Sequence, residues 1–315
     1  MVDYAIYYRR AIDVGRMDKE LAKFDIFISA FNASDRVNEV FKGIQADRKV
    51  WMVHPEYQYL PLDLPQGHEL VTPTSIDEVA QVNALVATLG PVGGASLCID
   101  ITGFMRHVIV FLVQKLAREG VSTVSVVYSE PQAYAQQEQT TFSTKTSGTV
   151  RPVRGLGSSF HSSGSEILII GVGYDDKLIS QVATNKDGAV VYPIFAFPSL
   201  SPDMYQQSAV RAAASGDVAL NPSWVNKRRF APANDPFSTA AVVSSIVAEV
   251  DRSFANANIY LSPLSTKVQA LGFALWWHHE GSARGAASII LPECLTYSRE
   301  TTTGIKRLWE FTVEL

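Results

Sequence analysis

The chain has little of what holds small secreted proteins or metal centres together: its 315 residues include only two cysteines, Cys98 and Cys294. Each lies in an apolar, strand-like run without a neighbouring Cys or His, which excludes a zinc site and a disulfide framework and marks both as reduced core thiols. A surplus of positive charge is missing as well. Lys and Arg number 27 against 31 Asp and Glu, a formal net charge of -4, so a charge-driven binder of nucleic-acid polymers is not expected. No run reaches the roughly 18 apolar residues of a membrane span. The opening MVDYAIYYRRAIDVGRMDKELAKFD has no apolar core after its charges, so no secretory signal is expected, the partners include no membrane, and the location is expected to be cytoplasmic.

What is present describes a folded chain. Hydrophobic residues make up 47% and charged ones 18%, enough to build a sizeable core, and the length suggests two domains. Short β-rich runs alternate with helical patterns, which predicts an α/β fold with mainly parallel sheets. The first half reads as strands 24–31, 48–54, 96–101 and 121–129 with helices 34–44, 75–89 and 104–119, the last closed by Gly120. The second half repeats the order, with strands 166–171, 189–196, 257–262 and 286–292 and helices 175–185, 237–253 and 266–280.

Residue matching strengthens the repeat. DIFISAFNASDRV from Asp25 lies on EILIIGVGYDDKL from Glu166 at an offset of 141, pairing Ser34 with Asp175, Arg36 with Lys177 and, further on, Trp51 with Tyr192. At an offset of 161, Arg106 matches Lys267, Gly120 matches Gly281, and Thr140 and Thr141 match Thr301 and Thr302. The expected organisation is therefore two tandem Rossmann-like units related by internal duplication, over 1–135 and 165–315. A Ser/Thr/Gly-rich linker joins them over 136–164. The extra residues of the second copy form an inserted loop at about 198–236, which carries the basic triplet Lys227, Arg228 and Arg229.

In such sheets ligands bind where loops leave the carboxyl ends of strands, because helix N-termini there offer free amide donors and a positive dipole. Four loops qualify: 30–35, 101–107, 171–177 and 262–269. The loop after Asp100, IDITGFMRH, and its counterpart LSPLSTKVQ each place hydroxyl residues before a helix and a cation, Arg106 or Lys267, in its first turn. A cation there opposes the helix dipole, which points to a nearby anion; the alternative is that Thr102, Ser265 and Thr266 cap helices and the cations face water. GVGYDDKL lacks the third glycine of a dinucleotide loop and its counterpart SAFNASDRV has none, so no nicotinamide cofactor, and no cofactor of any kind, is expected. Of the histidines His54, His107, His161, His278 and His279, His107 stands out because it follows Arg106 in a proposed ligand loop. No serine elbow, metal-binding His pair or activated Cys appears.

The segment LCIDITGFMRHVIVFLVQKLAREG, followed by the strand VSTVSVVY, resembles the CARF (CRISPR-associated Rossmann fold) sensor domains, with Asp100, Thr102, Gly103 and Arg106 on the motif and Ser265, Thr266 and Lys267 answering in the second copy. Leu264 stands where the turn glycine would be, and no recognisable effector domain follows. The resemblance implies binding of a nucleotide or cyclic oligonucleotide at the interface of two Rossmann-like units, as a sensor or regulatory subunit in prokaryotic antiviral defence, with an effector protein as partner. The ligand residues it and the loops suggest are Asn32, Ser34, Thr102, Gly103, Arg106 and His107 in the first copy. In the second they are Gly173, Tyr174, Asp175, Ser265, Thr266 and Lys267, and Arg106 and Lys267 are expected in one shared cleft. Two other readings stay open. One is an enzyme cleaving or modifying a nucleotide, with Arg106, His107 and Lys267 stabilising phosphoryl charge. The other is a protein-interaction scaffold using HPEYQYLPL and YPIFAFPSLSPDMY.

Overall fold

A computed structural model describes residues 2–134, 143–157, 159–201, 206, 208–210, 222–299 and 302–315. The strands are β1 (Arg9–Ile12), β2 (Phe24–Ala30), β3 (Ala46–Met52), β4 (Glu69–Val71), β5 (Leu97–Asp100), β6 (Thr123–Tyr134), β7 (Ser143–Pro152), β8 (Glu166–Val172), β9 (Val190–Ala196), β10 (Arg229–Ala231), β11 (Asn258–Pro263), β12 (Ala287–Tyr297) and β13 (Thr302–Glu314). The helices are α1 (Met17–Glu20), α2 (Asp35–Gly43), α3 (Glu78–Leu89), α4 (Arg106–Arg118), α5 (Asp176–Asn185), α6 (Pro222–Asn226), α7 (Pro236–Ser253) and α8 (Lys267–Trp276). Every helix and strand expected from the sequence is present within a few residues, and the fold is α/β with two sheets of mostly parallel strands.

The sheets follow from the sequence pattern. β8 is a run of aliphatic residues buried from Ile167 to Val172, the signature of a parallel strand covered on both faces. Helix starts are set by capping acids: Asp235 accepts from Phe237 N and Ser238 N, both at 3.0 Å, ahead of α7, and Asp77 accepts from Val79 N and Ala80 N ahead of α3. In the first unit Phe41 stacks on Trp51 with ring centroids 3.6 Å apart, inside a core that includes Phe27, Phe31 and Val37.

The first sheet runs β1-β13-β6-β5-β2-β3-β4 and the second β10-β9-β8-β11-β12-β7. The run β4-β3-β2-β5-β6 is parallel throughout, as is β10-β9-β8-β11-β12. By order in the chain, both read 3-2-1-4-5. The order reverses beside the first strand of each set, β2 or β8, and there the loops leave the crevice in which such sheets take ligands.

The compact units are not consecutive in sequence. One comprises Tyr7–Lys145 with Cys294–Leu315, the other Met1–Ile6 with Thr146–Glu293. β13 lies antiparallel to β6 over most of its length, from Thr302 opposite Tyr134 to Glu314 opposite Thr123, so the C-terminal strand belongs to the first sheet. The division expected at 135 and 165 runs along the chain and misses this exchange. The stretch expected as a linker over 136–164 contains β7, a strand of the second sheet; the Thr- and Ser-rich run STKTSGTV over 143–150 suits an exposed edge strand as well as a connector. The expected insertion at 198–236 contains α6 and β10 among its described residues. Thr140, Thr141 and Thr301 lie outside the described residues.

Two registers differ from those expected. Ser29 pairs with both Asp100 and Trp51, and Ile169 with both Leu261 and Tyr192; with Trp51 on Tyr192, the centre strand is therefore offset by 140, not 141. Gly281 is not the counterpart of Gly120. α8 passes into a π-helical turn, Trp277–Gly281, which widens the helix in a way that α4 does not share. The left-handed glycine comes later, at Gly285 with φ 69°, against Gly120 with φ 79°.

Candidate functional site

The carboxyl edge of the first sheet carries a dense buried polar network. Asp100 closes β5 and is fully buried; its Oδ2 accepts from Ser29 Oγ and its Oδ1 from Thr102 N, both at 2.9 Å. Burial pushes its carboxyl above the usual carboxylate range, against the hydrogen bonds from Thr102 and Ser29 and the charge of Arg36. Thr102 Oγ1 accepts from Ser129 N at 3.0 Å. Arg36, in the first turn of α2, is buried with Nε donating to Thr302 Oγ1 at 2.9 Å and Nη1 to Ser129 O.

A second layer of contacts fixes the start of α4. Met105, its N-cap residue, supplies no side-chain cap, and its N–H reaches His54 Nε2 at 3.4 Å. His54 Nδ1 lies 2.6 Å from Gln81 Oε1, and Gln81 Nε2 donates to Glu56 at 3.2 and 3.3 Å; this order assigns the His54 proton to Nδ1. Glu56, with no exposed side-chain surface, meets His107 Nε2 at 3.1 Å. Burial pushes the Glu56 carboxyl up, but His107 and His54 outweigh it and hold the group below its ordinary value. Tyr57 Oη donates to Gly103 O at 2.9 Å and receives Asn32 Nδ2 at 3.5 Å, tying the loops after β2 and β5 together. Those loops also touch directly: a Cβ on Gly103 would stand 1.9 Å from Ala30 O.

The structure thus gathers Asn32, Ser34, Thr102, Gly103, Arg106 and His107 at one edge, with different duties. Asn32 and Thr102 are buried and spent on internal bonds, Asn32 Oδ1 accepting from Ser34 N at 3.0 Å. Ser34, 4% exposed, leads α2, and its Oγ has no partner among the described residues. Arg106 and His107 occupy the first two positions of α4, partly exposed. The arrangement sets the amino end of α4, with Arg106 and His107 in its first turn, at this edge, and a helix start is where an anion is favourably held. Among the described residues no group of three or more His, Cys, Asp or Glu side chains is placed to hold a metal.

At the second sheet's edge, Thr266 caps α8, its Oγ1 accepting from Gln269 N at 3.1 Å and donating to Ala233 O at 2.7 Å. Asp175 caps α5 through Leu178 N at 3.3 Å. Gly173 packs on the opposite loop, where a Cβ would stand 2.1 Å from Leu264 O. Ser265 is buried, and Tyr174 and Lys267 are half-buried. Thr266 is the cap anticipated for it; Thr102 is not a cap, because the α4 N-cap falls three residues later at Met105.

Sequence reasoning missed Ser29, Arg36, Glu56, Tyr57, Gln81 and Ser129 as parts of this edge, and named His54 only as one of several candidate general-base histidines. HPEYQYLPL stood out only as a possible partner surface, whereas Glu56 and Tyr57 prove to be interior and Leu60 and Leu62, at 64% and 95%, are its exposed large hydrophobic residues. The signal available was its place, directly after β3 on the ligand side of the sheet. Among the described residues no helix is long and apolar enough to cross a membrane. No family model, curated protein or solved structure matches the chain.

Proposed function

We propose that the first-sheet unit binds the phosphate of a nucleotide or cyclic oligonucleotide at the start of α4, and that the chain acts as a sensor or regulatory subunit. The observation that carries this reading is a helix start without a side-chain cap, holding Arg106 and His107 partly exposed, on the same edge as the partnerless Ser34 Oγ. A cation at the first helical position opposes the dipole and is favourable there when an anion is bound. The buried contacts beneath it hold that helix start in place before a ligand arrives, which lowers the cost of binding. The common strand order of the two sheets supports descent by internal duplication. With it, the motif Asp100, Thr102, Gly103 and Arg106 supports the CARF-like reading, a ligand-gated partner of an effector in prokaryotic defence.

Calorimetry against cyclic oligonucleotides and mononucleotides tests the binding. Charge-assisted contacts are worth about 1.5–3 kcal/mol, so Arg106→Ala should weaken the best ligand at least about tenfold. Lys267→Ala in the same assay reports whether the second cation contributes. No binding of any of these ligands at high micromolar concentration removes the proposal. Chromatography of the ligand after long incubation separates a sensor, which returns it intact, from an enzyme.

A further inference from the structure

The geometry of the second sheet's edge points to a separate nucleobase-stacking site built on Phe197 and Phe230, with Arg228 as its cation. β9 and β10 are parallel with Phe195 opposite Phe230, and the ladder continues as Phe197 N donates to Ala231 O at 2.9 Å. Side chains alternate along a strand, so Phe195, Phe197, Arg228 and Phe230 share one face and Arg229 takes the other. The contacts agree: Arg229 pairs with Glu249 of α7 at 2.5 Å, whereas the Arg228 guanidinium lies over the Phe195 ring at 5.8 Å and has no carboxylate partner among the described residues.

Phe197 and Phe230 are 56% and 45% exposed, with ring centroids 6.2 Å apart and planes at 72°. Exposed rings cost hydration free energy and add little to the core, which makes a cluster of them beside a guanidinium informative. An aromatic face takes a base of any sequence, and a neighbouring cation takes the phosphate attached to it. Phe197 follows the last residue of β9, and Phe230, in the middle of β10, pairs with Phe195 one residue before that end; the carboxyl ends of strands are the side on which parallel sheets receive ligands. One arginine at the patch without a carboxylate partner among the described residues, on a chain of net charge -4, suits a single nucleotide and not a polymer, whose binding rests on many phosphate contacts. The occupant is therefore a small nucleotide, its base on the phenylalanines and its phosphate toward Arg228.

Titrating the full chain with AMP and, separately, with ribose 5-phosphate tests this. AMP should bind at least about tenfold more tightly than the sugar phosphate. Combined Phe197→Ala and Phe230→Ala should remove that preference, Phe230→Tyr should keep it, and Arg228→Ala should weaken AMP. Both rings are surface residues, and hydrogen exchange of β8 and β11 verifies that the variants fold. Several results overturn the proposal: no AMP binding at millimolar concentration, equal binding of the two probes, or AMP affinity unmoved by the double variant. So does loss of AMP in Arg106→Ala with retention in the double variant, which moves the ligand to the start of α4. Self-association of the wild type that the double variant abolishes, without AMP binding, makes the patch a contact between copies and likewise overturns it.

Discussion

The two parallel cores share one strand order but not one chemistry. In the first sheet the row across the centre reads Asp100, Ser29, Trp51; in the second the row with the same pairing reads Leu261, Ile169, Tyr192. A buried carboxyl with hydrogen-bonding neighbours is costlier to maintain than an aliphatic pair, and the apolar row shows that the strand order does not require it. The polar row is thus a feature of the first sheet that the shared strand order alone does not account for. The close contact of the loops at the two switch points is, by contrast, common to both. In the first sheet the loop after β5 supplies the glycine, Gly103 against Ala30, and in the second the loop after β8 supplies it, Gly173 against Leu264. Only one side of each crossing needs to lack a Cβ. This accounts for Leu264 at the position of the expected turn glycine.

The harshest test moves the polar chemistry to the apolar sheet. Leu261→Asp places a carboxyl at a fully buried position beside Ile169 and Ile289 and should cost on the order of 4–5 kcal/mol at pH 8, read as lost hydrogen-exchange protection in β11. A carboxyl there has a raised folded-state pKa, so its penalty grows as pH rises through that value and is least in acid. Equal protection at pH 5 and pH 8 would mean that water reaches the site. The converse, Asp100→Leu, strands Ser29 Oγ and Thr102 N and should cost about 3 kcal/mol, part of which adding Ser29→Ile returns. If the single change is neutral, the polar row is dispensable and the contrast between the sheets carries no meaning.

Of intermediate size are Gly103→Ala and Gly173→Ala. Each brings a methyl group within about 2 Å of a backbone carbonyl, which no rotamer change relieves, and each should destabilise its own unit by about 1–3 kcal/mol. Similar losses would establish the two crossings as equivalent. A loss at only one would confine the close packing to that sheet.

The parallel cores were legible because continuous apolar runs such as LIIGV and alternating helices encode them locally. The exchange of β13 was not, since a strand spanning Thr302 to Glu314 carries no mark of which sheet it joins; that is decided by tertiary pairing with β6. The candidate edge was legible through its helix starts, and Arg106, His107 and Thr266 lie at them. The ring of His54, Gln81, Glu56 and His107 was not, because its members come from three separated segments and none has a counterpart spacing in the chain. The π-helical turn after α8 likewise left no sequence signal beyond the glycine it displaced.

The smallest expected effect concerns that ring, which has no polar equivalent in the second sheet: at an offset of 141 the places of His54 and Glu56 are held by Phe195 and Phe197. Burial raises the Glu56 carboxyl while His107 and His54 lower it, and the net displacement is downward from 4.5. A depressed carboxylate contributes stability that is present above its unfolded value and is lost as pH falls through the folded value. The share of the first-sheet unit's stability that Glu56 supplies should thus be lost below about pH 4.5, opposed by Asp100, whose raised carboxyl favours the folded unit in acid. Glu56→Gln keeps an acceptor for Gln81 but removes the charge, so it should flatten that acid limb by less than about 1 kcal/mol, since opposed influences leave only a small remainder. Hydrogen exchange of β5 and β11 followed from pH 7 to pH 3.5 reads both units in one experiment, after correction for intrinsic exchange rates. Parallel loss of protection in the two strands, unchanged by Glu56→Gln, would show that the ring does not set the acid response of the first unit.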